Sequence, residues 1–163
     1  MFYEFYISVI QQHMKPLIIL LFSFTISIVA IKVFKKEYNI ALSARIAMAI
    51  MLIFTAIGHF MFTKGMAMMI PKFLPFKESI VYFTGIFEIL LAIGLLIPRF
   101  TYLSGWALLI FLVLMLPANI YGAIHNVNFQ KGTLDGNGLS YLWFRVPLQV
   151  VFIIWTYFSS IRF

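Results

Sequence analysis

The stretch from Ser79 to Ile97 reads SIVYFTGIFEILLAIGLLI and carries a single charged side chain, Glu88. A helix needs about 20 predominantly apolar residues to cross a bilayer, and this stretch has that length. Pro98 follows directly and disfavours continuation of the helix. We therefore predict a membrane-spanning helix with one carboxyl group near its middle.

Four further stretches have the same apolar character and length. The tight turn at Pro98 joins the stretch above to the next one, so these two spans are predicted to form an antiparallel hairpin. The predicted fold class is all-α, an integral membrane helical bundle of about five transmembrane helices. The other four predicted spans are Lys15–Phe34, Ile46–Thr63, Thr101–Tyr121 and Tyr141–Ser160.

The composition of the 163-residue chain supports a lipid environment. Hydrophobic residues make up 63% and charged residues 10% of the sequence, against roughly 25% charged in ordinary globular domains. The net charge of +7 comes from single or paired basic residues at the ends of apolar runs, which is typical of bilayer anchoring. Because they form no continuous stripe, we predict no nucleic-acid binding.

Metal and thiol chemistry find little support in the sequence. The chain has no cysteine, which excludes disulfides, thiolate nucleophiles and iron–sulfur clusters. A haem held between helices needs two axial histidines at matching depth, and di-iron bundles need repeated Glu-x-x-His ligands. Glu88 is followed at that spacing by Leu91, so we predict no metal site and no intrinsic cofactor.

Two regions are predicted within the chain. Residues 1–39 comprise an aromatic interfacial segment, about Met1–Met14, and an additional transmembrane helix; residues 40–163 form the remaining four-helix core. Inside that core, segment 64–78 contains two prolines that interrupt helix formation. We expect this segment to be interfacial or shallowly re-entrant.

The basic residues also suggest an orientation. Five spans place the termini on opposite sides of the membrane, and Lys32, Lys35 and Lys36 form a dense cluster before the second span. Because positive charge favours the cytoplasmic side, the C-terminus is predicted to be cytoplasmic and the N-terminus outside. Residues 122–140 are rich in glycine and asparagine and are predicted to form a surface loop.

Several polar side chains fall within the predicted spans, where they are costly unless they face the bundle interior. Their depths place them in the middle and outer half of the membrane, and the long side chain of Arg145 can extend towards Glu88. We predict an intramembrane polar site formed by His59, Glu88, Asn119, Arg145 and Gln149. Residues expected to support it, as close-packing, polar or helix-kinking neighbours, are Thr55, Thr84, Gly85, Pro117 and Pro147.

Two interpretations of this cluster stay open at the level of sequence. A buried Glu–Arg pair surrounded by amide and imidazole groups can fix the register of the helices without binding anything. Alternatively, the cluster lines a pocket for a small amphipathic ligand. No catalytic residue is assigned, and the sequence does not indicate an autonomous enzyme.

An ordered series of short motifs resembles one known family. The motifs are Gly58-His59-Phe60, Ile70-Pro71, Leu74-Pro75, Gly85-Ile86-Phe87-Glu88, Gly94-Leu95-Leu96-Ile97-Pro98, Leu116-Pro117-Ala118-Asn119-Ile120-Tyr121 and Phe144-Arg145-Val146-Pro147-Leu148-Gln149. Over about residues 45–160 the chain resembles the DoxX-like family of small bacterial membrane proteins. Two departures are visible: Met61-Phe62-Thr63-Lys64 stands where many relatives carry a proline, and Leu116 replaces a frequent phenylalanine.

The resemblance implies a four-helix transmembrane core in the bacterial cytoplasmic (inner) membrane, with the first span as an N-terminal addition. The family takes its name from a subunit linked to thiosulfate:quinone oxidoreduction. The leading hypothesis is therefore an accessory subunit that binds a quinone-like ligand or a lipid in the polar site. Its expected partners are the bilayer and another membrane subunit or further copies of the chain.

Two alternative functions are also considered. One is a structural or assembly subunit of a larger membrane complex, because the extra span offers a further lateral surface. The N-terminal aromatic side chains that extend this surface are Phe2, Tyr3, Phe5 and Tyr6. The other alternative is a small-molecule transporter. Five spans without inverted repeats are few for alternating access within one chain, so a transporter of this kind would have to act as an oligomer.

Overall fold

A computed structural model describes the backbone of residues 2–162 and the side chains from residue 14 to residue 162. The predicted interfacial location of residues 1–14 stays a prediction, and their aromatic side chains lie outside the described ones. The helices are α1 (Phe2–Lys35), α2 (Ile40–Met61), α3 (Thr63–Met68), α4 (Lys77–Leu96), α5 (Thr101–Ile124) and α6 (Ser140–Thr156), which continues as a π-helical turn over Tyr157–Arg162.

The described residues contain five helices that are long and apolar enough to cross a membrane. They overlap the five predicted spans, although the second helix begins at Ile40 instead of Ile46. The all-α membrane fold is confirmed, and the chain is a multi-pass membrane protein. The outward faces of these helices are apolar, with Phe22, Phe83, Leu103 and Leu114 each more than 60% exposed. Surfaces of this kind are stable in lipid, where exposed apolar area carries no hydrophobic penalty.

Helices α2, α4, α5 and α6 form a ring in which each contacts the next. The predicted hairpin is present, since α4 and α5 are joined by a turn in which the amide of Phe100 donates to the carbonyl of Ile97 at 2.9 Å. Because α4 contacts α2 and α5, and α6 contacts the same two helices, α4 lies across the ring from α6. Within the ring, Leu52, Leu95 and Leu108 are almost fully buried.

Small residues allow the neighbouring helices to approach closely. On α4, a methyl group added to Gly94 would lie 2.1 Å from the hydroxyl of Ser104 on α5. On α5, the same addition to Gly105 would lie 3.0 Å from Cβ of Ser160 in the last turn of the chain. Close backbone approach at small residues is the usual way in which membrane helices gain packing energy.

Helix α1 packs on the outside of the ring, chiefly against α2. Its buried stripe contains Leu20, Ser23 and Ser27, which recur at helical spacing and again include small side chains. The ring of Phe24 meets Trp155 of α6 edge-on at 5.1 Å, and the Trp155 indole donates to the carbonyl of Ala44 at 3.0 Å. One face of the additional span is therefore occupied within the chain.

The two long connections meet at one end of the bundle. Helix α3 is short and is followed by turns, and Phe76 adopts a left-handed conformation with φ of 53° immediately before α4. The loop between α5 and α6 folds back on itself through a bridge between Asn128 and Thr133. A methyl group added to Gly65 of α3 would lie 1.9 Å from the carbonyl oxygen of Phe129 in that loop, so the two connections pack directly against each other.

Candidate polar site within the membrane

The site begins at the contact between α2 and α4. Gly85 of α4 faces α2, and a Cβ atom placed on it would lie 2.9 Å from Cβ of His59. The absence of a side chain at this position therefore brings the two helices close together. As a result the imidazole of His59 lies along α4, where Thr84 and Glu88 flank Gly85.

The hydrogen bonds of His59 determine which ring nitrogen carries the proton. Its Nδ1 lies 2.9 Å from the hydroxyl oxygen of Thr84 and 3.3 Å from the carbonyl oxygen of Val81. Because the Thr84 hydroxyl donates to that same carbonyl at 2.8 Å, it is an acceptor towards His59. Nδ1 is therefore the protonated nitrogen in the neutral ring, and Nε2 is the nitrogen that can accept a hydrogen bond.

Nε2 of His59 lies 3.7 Å from Oε1 of Glu88. This distance is within ion-pair range but longer than a hydrogen bond. Glu88 is buried, with 7% of its surface exposed, and the side chain of Thr55 lies beside its carboxyl group. The second carboxyl oxygen, Oε2, is buried without a hydrogen-bond partner.

Two polar residues of α6 approach the same level of the bundle. The side-chain amide of Gln149 donates to the carbonyl of Leu112 on α5. Rings of Phe87 and Phe111 lie 5.5 Å apart, so α5 and α4 are aligned there and Glu88 lies at about the depth of Leu112. Gln149 therefore lies near the depth of Glu88, and its own Oε1 atom is buried without a partner.

Arg145 lies one helical turn before Gln149 on the same face of α6. Its charge is close enough to act on both Glu88 and His59. Within the described residues, however, no nitrogen of Arg145 lies within the 4.0 Å ion-pair distance of Glu88, whose ion-pair partner is His59. The expected direct Glu88–Arg145 pair is thus not formed, and the buried Nε of Arg145 has no hydrogen-bond partner.

The structure does not join the remaining predicted residues to this group. The amide nitrogen of Asn119 donates to the carbonyl of Met115 at 2.9 Å, and its oxygen accepts from the hydroxyl of Tyr141 at 3.1 Å. Pro117 and Pro147 lie on exposed faces of their helices, so they do not line the interior. Tyr141 was not predicted, because an aromatic residue at a span end gives no signal beyond the usual interfacial one.

Residues 48–160 match the family model described as Domain of unknown function (DUF8561). The chain belongs to this family. No curated protein and no solved structure matches the chain.

The DUF8561 region contains every residue of the polar site and begins inside α2, at Met48. Helix α1 therefore lies outside it, although α1 is packed against α2. The grouping of His59, Glu88, Arg145 and Gln149 is thus built entirely by the DUF8561 region.

The chemistry available to this DUF8561 site follows from its unpaired atoms. Among the described side chains, three buried polar atoms of the site have no hydrogen-bond partner: Oε2 of Glu88, Nε of Arg145 and Oε1 of Gln149. They include two oxygens and one nitrogen that always carries a proton. The site can therefore both accept and donate hydrogen bonds, and it contains one histidine within ion-pair distance of a carboxyl group.

Proposed function

We propose that this protein is a DoxX-like accessory membrane protein that binds a small lipophilic ligand, quinone-like in its polar group, between α4 and α6. The single observation that carries the proposal is the set of three buried polar atoms without partners, on Glu88, Arg145 and Gln149. A ligand with polar groups on an apolar framework would supply the missing hydrogen bonds.

The energetic argument favours a ligand site over a device that only fixes helix register. Each buried polar group without a partner costs about 1–3 kcal/mol, so three of them cost roughly 3–9 kcal/mol. A polar network that serves structure alone is stabilising when its members satisfy one another. Here the Glu88 side chain and the Nε atom of Arg145 are buried, and the two groups form no direct ion pair, which supports a third participant.

The cellular setting is part of the same proposal. We place the protein in the bacterial cytoplasmic membrane with its C-terminus in the cytoplasm. The exposed basic residues Lys32, Lys35 and Lys36 at the end of α1 and in the turn after it support this orientation. An accessory role further calls for a membrane partner, either another subunit or further copies of this chain, associated through the exposed apolar faces of the helices.

Native mass spectrometry of the protein extracted with its own lipids tests the proposal. The wild type is compared with the double variant Glu88→Gln, Arg145→Ala. The matched control is Glu78→Gln, Arg99→Ala, because Glu78 is exposed in the first turn of α4 and Arg99 is exposed in the turn after α4. We expect a small lipophilic molecule on the wild type and the control and none on the site variant.

Two results would contradict the proposal. One is a wild-type protein that carries no small molecule yet retains a stoichiometric partner polypeptide, which would favour the assembly function. The other is the same bound molecule on all three proteins, which would place the ligand away from Glu88 and Arg145.

A further inference from the structure

An open cleft lies between α3 and the start of α4, lined by residues outside the polar site. It has a volume of about 440 Å³, and its lining includes Lys64 and Ala67 of α3 and residues 76–79. Beside it, Ala67 and Ile70 pack with Val81 of α4 in a buried apolar cluster. The two walls of the cleft are therefore fixed relative to each other.

The cleft is positively charged. Lys64 is exposed and Lys77 is half-buried, and the Nζ atom of Lys77 donates to the carbonyl of Ile70 at 2.9 Å. This bond holds the ammonium group in place and uses one of its three donor hydrogens. Lys72 is exposed in the same connection, and Glu78 is the carboxylate in the cleft lining. Three lysines against one carboxylate leave an excess of two positive charges, which favours an anionic ligand.

The cleft continues into an apolar surface that faces lipid. It lies where the membrane-spanning helix Lys77–Leu96 begins, at the level of the phospholipid headgroups. Ser79 in the cleft lining is one helical turn before Phe83. Phe83, Ile86 and Leu90 follow one another at helical spacing, and each is more than 50% exposed. A ligand with a charged head and long apolar chains matches both parts of this surface, whereas a soluble anion matches only the first.

From the charge of the cleft and the apolar stripe next to it, we infer that the protein binds an anionic phospholipid at this position. The phosphate would lie between Lys64 and Lys77, and the acyl chains would run along the outer face of α4. This lipid is a second ligand, distinct from the one proposed for the polar site.

Native mass spectrometry of the full-length, delipidated protein in a neutral detergent tests this assignment. The probes are phosphatidylglycerol and phosphatidylcholine with identical acyl chains, each titrated onto the wild type. Both contain a phosphate, but only phosphatidylglycerol has a net negative charge, so the comparison isolates charge without any substitution. Each excess basic residue near a lipid surface corresponds to about 5-fold in affinity. We therefore expect the first phosphatidylglycerol to bind about 30-fold more tightly than phosphatidylcholine.

Three variants locate the bound lipid. Lys64→Gln, Lys77→Gln should bind the two lipids equally, because the remaining lysine and carboxylate of the region cancel. The control Lys35→Gln, Lys131→Gln removes the same charge from exposed positions outside the cleft and should keep the preference. Glu78→Gln retains both cleft lysines and should tighten phosphatidylglycerol binding by about 5-fold, a gain that misfolding cannot produce.

Equal affinity of the wild type for the two lipids would overturn the inference. A preference that survives Lys64→Gln, Lys77→Gln, or that only the control variant loses, would place the lipid elsewhere and overturn it as well. Glycerol 3-phosphate has the phosphate without the chains, and its competition at equal concentration would indicate a site for a soluble anion instead. A phospholipid differs in mass from a small quinone-like molecule, so this site and the polar site can fail independently.

Discussion

Replacement of Gly85 by alanine tests the close contact that creates the site. The added methyl group would lie 2.9 Å from Cβ of His59 and 3.1 Å from Cζ of Phe60. His59 Cβ is attached directly to the α2 backbone, so it cannot move away by changing rotamer. The two helices must therefore separate or shift, and overpacking of this kind costs about 1–3 kcal/mol.

The control variant Gly58→Ala corrects the comparison for the intrinsic effect of alanine on helix stability. Alanine is favoured over glycine in a helix by about 1 kcal/mol, and this gain applies equally to Gly58→Ala in α2. A methyl group on Gly58 meets only the flexible end of Met66, at 3.8 Å. The difference in unfolding free energy between the two variants therefore isolates the steric cost at Gly85.

The assay is reversible unfolding in detergent micelles, followed by tryptophan fluorescence. We expect Gly85→Ala to be less stable than Gly58→Ala by about 1–3 kcal/mol. The nitrogen-15 signals of His59 should also change in Gly85→Ala alone, because displacement of α2 lengthens the bond to Thr84. Equal stability of the two variants, with unchanged His59 signals, would refute the packing described for α2 and α4.

Three further predictions concern contacts outside the site. Trp155→Phe keeps the ring packing but removes the indole donor to α2, and should lower the unfolding free energy by about 1 kcal/mol; no loss would contradict the bond. Gly65→Ala places a methyl group 1.9 Å from the carbonyl oxygen of Phe129, so limited proteolysis should cleave the following loop faster than in wild type, and an unchanged rate would contradict the packing. The hydroxyl of Thr133 donates to Asp135 and lowers the pKa of that carboxyl below its ordinary value of 3.8. The bond therefore supports the loop above pH 3.8 and is lost as the pH falls through the lowered pKa. Thr133→Val should raise the pKa of Asp135 in a carbon-13 titration, and an unshifted pKa would contradict the bond.

The spans were predictable because a bilayer imposes one length on every apolar helix. The inward face of α4 was predictable for a related reason, since polar and small residues that recur at helical spacing are expected to face the interior. Val81, Thr84, Gly85 and Glu88 share that face and are all buried. These features depend only on local sequence and the solvent.

The partners within the site were harder to predict, because they depend on how each helix is rotated about its axis. Depth along the membrane suggested Arg145 as the partner of Glu88, but the glycine contact brings His59 within ion-pair distance instead. The separate bond between Asn119 and Tyr141 depends on where the loop before α6 ends. Neither rotation nor loop geometry leaves a periodic signal in the sequence.

An experimental structure from crystals grown in a lipid phase with the native lipids retained would test the central claim most directly. The account predicts density of a small molecule in contact with Oε2 of Glu88 and Nε of Arg145, with His59 still bonded to Thr84. The claim would be contradicted if the guanidinium of Arg145 closed directly on the Glu88 carboxylate with nothing between them, because the polar residues would then satisfy one another and only fix the helices.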